Sequence, residues 1–298
     1  MGVNLFQKLF FLLPLAYQYS PNDGSSENTD WNYDQNGADW QGICATGFRQ
    51  TPIKLSVDSS LIVPLPRMYF GNYDVRLNEP LTLVNKGYTV DMTIPNTRNG
   101  QRPFISGGLL KGQYVAEGVH FHWGSPVSRG SEHVINRKRY DVEMHIVHRN
   151  TRYNDVTEAL NYIDGVAVLG VMFKIVRNPN NRYPGLRKLF SAVPAIVEYG
   201  SEVELPGSMT LGQLLGDLNT SDFYTYKGSL TTPECNEAVT WTVFAQPLPI
   251  SLSDISKLWI LQDSNGNLIR NNYRTLQARN SRPVFYRTNK DLSDYYLG

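Results

Sequence analysis

The chain has 298 residues, with 28 lysines and arginines set against 27 aspartates and glutamates for a formal net charge of +1. That length suffices for a substantial core in one large domain or two small ones. The near-neutral balance excludes an electrostatic case for nucleic acid or an anionic membrane surface, and leaves small neutral or weakly charged partners. At the start, MGVNLFQKLFFLLPLAYQYS places Lys8 ahead of an apolar run at 9–16 and ends in small or polar residues. This is the pattern of a secretory signal peptide, assigned to residues 1–20, with cleavage between residues 17 and 22. The run is short for a membrane span, so no transmembrane segment is expected. A buried N-terminal helix is the other reading, opposed by Pro14. Residues 21–29 read as a flexible spacer, which leaves 30–298 as one domain in a secreted, extracellular protein.

Cys44 and Cys235 are an even pair in a chain read as exported, which suggests a single disulfide; two buried free thiols are the alternative. Gly, Pro and Asn recur at short intervals along the whole length, as expected for many short strands joined by turns. YDVEMHIVH, GVAVLGVMFKIV and EAVTWTVFAQPL have the period or composition of strands and are rich in Val, Ile and aromatic residues. Asn219 opens NTS, an acceptor triplet for N-glycosylation. The clearest helix is SLSDISKLWILQ, with Ser251 or Ser253 as N-cap and Ile255, Leu258, Trp259 and Gln262 at helical spacing. The fold class that follows is a β-dominated α+β single domain with peripheral short helices.

All five histidines fall within residues 117–148. Side chains alternate across a strand, so His120 and His122 in VHFHW share a face. In DVEMHIVH the same parity groups Glu143, His145 and Val147 and turns His148 away, so a neighbouring strand can deliver His145 as a third nitrogen. Three neutral imidazoles leave Zn2+ one open tetrahedral position for water, whose pKa falls to about 7 from 15.7 in bulk. His133 and His148 are assigned to structural hydrogen bonding. A cupin-type site is disfavoured, because the first carboxylate after His122 is Glu132, ten residues on.

These residues resemble the α-class carbonic anhydrases of secreted type. The likeness runs from WNYDQNGADW and RQTPI through HFHWGS, GSEH, EMHIVH and GVAVLGVMF to SLTTPE, VTWTVF and NNYRTLQARNSRP. The resemblance implies a large twisted, mostly antiparallel β-sheet with zinc at the bottom of a conical cleft. The activity implied is reversible hydration of carbon dioxide to bicarbonate and a proton by zinc-bound hydroxide. It makes His120, His122 and His145 the zinc ligands. Thr231 becomes the residue that accepts from the hydroxide and donates to Glu132, since an ionised glutamate can only accept. It further assigns Thr232 to bicarbonate contact and Val147, Val168, Leu230, Val239 and Trp241 to an apolar wall for the substrate. Glu143 and the backbone carbonyl of Asn272 become acceptors for His145 and His122, and Cys44 and Cys235 a disulfide.

Two positions depart from the family. Gly118 stands where a glutamine usually accepts from the first ligand's ring, and parity turns Glu117 away, so weakened zinc retention is expected. Tyr88, in NKGYTV, stands where a histidine usually shuttles protons, and an unperturbed tyrosine with a pKa of about 10 is poorly matched to that task. The competing reading is a catalytically weak or inactive extracellular binding or matrix protein that keeps the fold. Oligomeric state is not legible.

Overall fold

The three stretches expected as strands from their periodicity or composition form the middle of one thirteen-stranded sheet. The computed structural model describes residues 31–177 and 183–289, so the expected signal peptide and spacer lie outside the described residues. Ten strands make the main path of the sheet. In chain order they are β1 (Leu61–Ile62), β2 (Thr82–Asn85), β3 (Val90–Thr93), β4 (Tyr114–Trp123), β5 (Val142–Asn150), β6 (Val166–Ile175), β7 (Glu202–Glu204), β8 (Phe223–Gly228), β9 (Val239–Phe244) and β10 (Phe285–Arg287). Their spatial order is β7-β2-β3-β4-β5-β6-β9-β8-β10-β1. Only β6 with β9 and β10 with β1 run parallel along this path; the other neighbours are antiparallel, as expected.

The pleat sorts side chains onto two apolar clusters. From β6, Ala167, Leu169, Val171 and Phe173 enter one cluster, while Val166, Val168 and Met172 enter the other. From β4, Val119, Phe121 and Trp123 enter the first and are fully buried. Each such side chain contributes about 1.5–3 kcal/mol by leaving water. That anchoring fixes the register of β4, and a one-residue slip would turn His120 and His122 into the core.

Among the described residues, helices are few and short. α1 is Ile43–Thr46, α2 Val156–Ala159, α3 Pro184–Ala192 and α4 Leu252–Ile255. The stretch expected as one helix, SLSDISKLWILQ, instead gives the single turn of α4 followed by a 3-10 turn, Leu258–Ile260. Ser251 does cap it, accepting from the Asp254 N–H at 3.0 Å. Ile255, Leu258 and Leu261 are buried, which satisfies the apolar spacing without a continuous helix. The longest helix among the described residues, α3, begins with Pro184 at its first position, where a missing N–H costs nothing.

Candidate metal centre

Cross-strand register brings the histidines together. His145 on β5 lies directly opposite His120 on β4, and Glu143 opposite His122. One row across the sheet therefore reads Asp91, His120, His145, Gly170 and Val243, from β3 to β9. The next row reads Thr93, Gly118, Val147, Val168 and Trp241. Three imidazoles thus sit beside an apolar strip on one face.

Three ring nitrogens converge. His145 Nδ1 is 3.1 Å from His122 Nε2 and 3.2 Å from His120 Nε2. Nitrogens bound tetrahedrally to zinc at 2.0–2.1 Å stand about 3.4 Å apart, so the spacing fits such an ion. Burial pushes the His120 and His122 rings below the ordinary imidazole pKa, and the crowding of neighbouring rings adds to it, so both are held neutral, the form that ligates.

The ring nitrogens that face away from this cluster are held for two of the three histidines. His122 Nδ1 donates to the carbonyl of Asn272 at 2.7 Å, and His145 Nε2 donates to Glu143 Oε1 at 2.8 Å. Gly170 leaves room for that carboxylate, since a Cβ there would lie 3.2 Å from Glu143 Oε1. Glu143 also takes the N–H and ring of His133 at 2.8 and 2.7 Å, and His133 Nε2 meets the Tyr226 hydroxyl at 2.7 Å. Burial alone would raise the Glu143 pKa, but His133 and His145 hold it well below the carboxylate range. His133, Glu143 and His145 could be read as a second metal group. Their fully buried atoms are already spent on one another, so they buttress the first group.

Glu132 is fully buried beside the cluster. Its Oε1 accepts the Arg274 N–H at 2.8 Å, while Oε2 has no hydrogen-bond partner and lies 3.5 Å from His122 Nε2. A buried acceptor without a donor marks a place that a hydroxyl or a metal's shell must complete. The donor expected there, Thr231, is buried in the 229–236 loop but makes no hydrogen bond to that oxygen in this structure. Trp241 Nε1 holds that loop through the Ser229 carbonyl at 3.0 Å. Thr232, half-buried, accepts the Cys235 N–H through its carbonyl. The Cys44–Cys235 disulfide is formed, with Cα atoms 5.1 Å apart, and fastens this loop to α1.

The five expected wall residues lie in one apolar cluster. Val168, Val239 and Trp241 are buried in it, with Val147 and Leu230 packed against it half-buried. The Trp241 ring stands 4.8 Å from that of His145, so the cluster reaches the metal group. Tyr88 packs its ring on Trp31 at 4.8 Å, and its carbonyl accepts from Asn272 Nδ2 at 2.8 Å. Glu117 is the extra residue of a bulge, since Val147 opposes Gly118 and His148 opposes Ala116, and it is held by Arg102 and Arg149 at 2.8 Å. His148 points away from the site and shares a 2.6 Å hydrogen bond with the Tyr73 hydroxyl. The Asn219 amide donates to Asp222 and accepts from the Ser221 N–H.

Sequence reasoning missed Arg274, Tyr226 and Asp91. Arg274 and Tyr226 come from segments remote in the chain from the groups they hold, and nothing local marks them. Asp91 carried a signal: in YTVDMTI the apolar residues Val90, Met92 and Ile94 alternate with Thr89, Asp91 and Thr93, which puts the acid on the polar face. Burial lifts its carboxyl to a pKa of about 6, against the pull of Lys86.

Comparison with known proteins agrees with this geometry. The profile of the family described as eukaryotic-type carbonic anhydrase matches residues 28–288. A putative carbonic anhydrase 5 of Caenorhabditis elegans is 36% identical over 288 residues, covering 95% of this chain and 89% of that protein. Carbonic anhydrase 6 of Homo sapiens is 32% identical over 285 residues, covering 91% and 86%. Carbonic anhydrase 3 of Bos taurus is 32% identical over 258 residues, covering 81% and 92%. With its long sheet, its converged imidazoles and a profile match over nearly all the described residues, the chain belongs to the eukaryotic-type carbonic anhydrase family.

Proposed function

We propose that this chain catalyses the reversible hydration of carbon dioxide with zinc held by His120, His122 and His145. The observation that carries this reading is the convergence of three ring nitrogens at 3.1–3.2 Å with a partnerless buried carboxylate oxygen beside them. When bound, zinc supplies an acidified water with a pKa of about 7, so that a nucleophile is available near neutrality.

The residues around it orient that nucleophile and receive the substrate. Glu132 Oε2 can only accept, so the Thr231 hydroxyl, once brought to it, would turn its proton to Glu132 and its lone pair toward the oxygen that zinc would hold. Val147, Val168, Leu230, Val239 and Trp241 offer an apolar surface that suits a molecule without net charge or dipole. Thr232 contacts the bicarbonate that forms. Tyr88 stands at the proton exit, and its phenol makes that exit slow. The disulfide supports an extracellular setting.

A stopped-flow assay of carbon dioxide hydration with a pH indicator, with and without an aromatic sulfonamide, tests the proposal. Hydration that the sulfonamide abolishes is the expected result. A zinc-loaded protein that leaves the uncatalysed rate unchanged would overturn it in favour of a non-catalytic binding protein.

A further inference from the structure

Two of the three converging histidines have a protein acceptor for the nitrogen that faces away, and His120 has none in its own strand, because position 118 is glycine. Register places another candidate beside it. Asp91 on β3 is the direct antiparallel partner of His120 on β4, so the two side chains stand on the same face. The carboxylate leans over the glycine: a Cβ built on Gly118 would lie 3.8 Å from Asp91 Oδ1. Both Asp91 and His120 are half-buried. The His120 nitrogen that joins the cluster is Nε2, which leaves Nδ1 as the nitrogen in need of an acceptor.

We propose that Asp91 is the positioning residue for His120, its carboxylate accepting the Nδ1 proton from across the strand pair in place of a side chain at position 118. The assignment rests on the zinc reading above. An acceptor on the outer nitrogen fixes the tautomer, so that the Nε2 lone pair faces the metal, and it raises the basicity of the ligand. A carboxylate does this more strongly than a carboxamide, because its hydrogen bond is charge-assisted. Gly118 then permits the arrangement by leaving the space over which the acid reaches. The expectation of weak zinc retention from Gly118 alone is replaced by one in which β3 supplies what β4 lacks.

The test measures zinc rather than turnover. Wild type, Asp91→Ala, Asp91→Asn and Asp91→Ala/Gly118→Gln are loaded with zinc, checked for one ion per chain by elemental analysis, and followed during transfer to a chromophoric chelator. Asp91→Ala is expected to release zinc about 10- to 100-fold faster than wild type. Asp91→Asn, which keeps an acceptor oxygen, should fall between the two. Restoring a glutamine in the double variant should bring the rate back toward wild type, which recovery of packing alone would not do. Equal release from wild type, Asp91→Ala and Asp91→Asn, all loaded with zinc, would overturn the assignment and leave the zinc reading standing. Wild type that binds no zinc would overturn both.

Discussion

Glu132 divides its two oxygens between two tasks. One is occupied by the Arg274 N–H, and the other is left for the group that completes the site. Replacing Glu132 by Gln would put an N–H where only acceptance is useful, and the Thr231 hydroxyl would turn around to accept it. Glu132→Gln and Thr231→Ala are each expected to lower kcat/KM by about 100-fold, the scale of a misplaced nucleophile, with zinc content unchanged. Zinc assays alongside stopped-flow kinetics check this. His148 makes a different prediction, for stability. Burial pushes its pKa from 6.5 down to about 3, so the unfolded chain takes up a proton that the folded chain refuses. Its contribution is intact above about pH 6.5 and is lost at up to about 1.4 kcal/mol per pH unit as pH falls toward 3. Chemical unfolding of wild type and His148→Gln between pH 4 and 7 should show a shallower decline in the variant. The three converging histidines were the most legible part of the site in the sequence. Histidine parity on two strands is a local signal, whereas the identity of the groups behind each ring depends on contacts such as that of His122 with Asn272, 150 residues away.

Among elements, the 229–236 loop is the one whose position decides the site, and it is tied to its surroundings at two points and closed on itself at a third. Trp241 grips Ser229, the Leu230 N–H donates to Asn236, and Cys235 is bonded to α1. Arg274 adds a link, because its guanidinium donates to the Cys44 carbonyl while its backbone N–H holds Glu132. The disulfide spans 191 residues, a loop for which chain entropy predicts close to the upper end of disulfide stabilisation. The Cys44→Ser/Cys235→Ser variant is expected to lose about 2–5 kcal/mol in denaturant unfolding, and a loss below about 1 kcal/mol would contradict this role. Strands were read well from sequence because β5 and β6 are long and rich in β-branched and apolar residues. The helices were not. Those in this fold are mostly single turns, too short for periodicity to show, and α3 enters from the opposite core with a proline start that resembles a turn.

At the scale of the whole molecule, the sheet separates a core that sets the register from a face that carries the converging histidines, and on the proposed function protons leave from that face. Tyr88 rests against Trp31 near the N-terminal end of the described chain. With a phenol there, imidazole-type buffers should raise the steady-state hydration rate by about tenfold or more, and Tyr88→His should remove most of that dependence. Steady-state rates across a buffer series check both. The central claim is that three imidazoles on adjacent strands hold one zinc ion and that this ion is needed for hydration. Stopped-flow hydration of carbon dioxide by the same protein sample before chelator treatment, after it, and after return of one zinc per chain tests it most directly. The account predicts activity that disappears with the metal and returns in proportion to it. Hydration that persists at full rate in metal-free protein would contradict it.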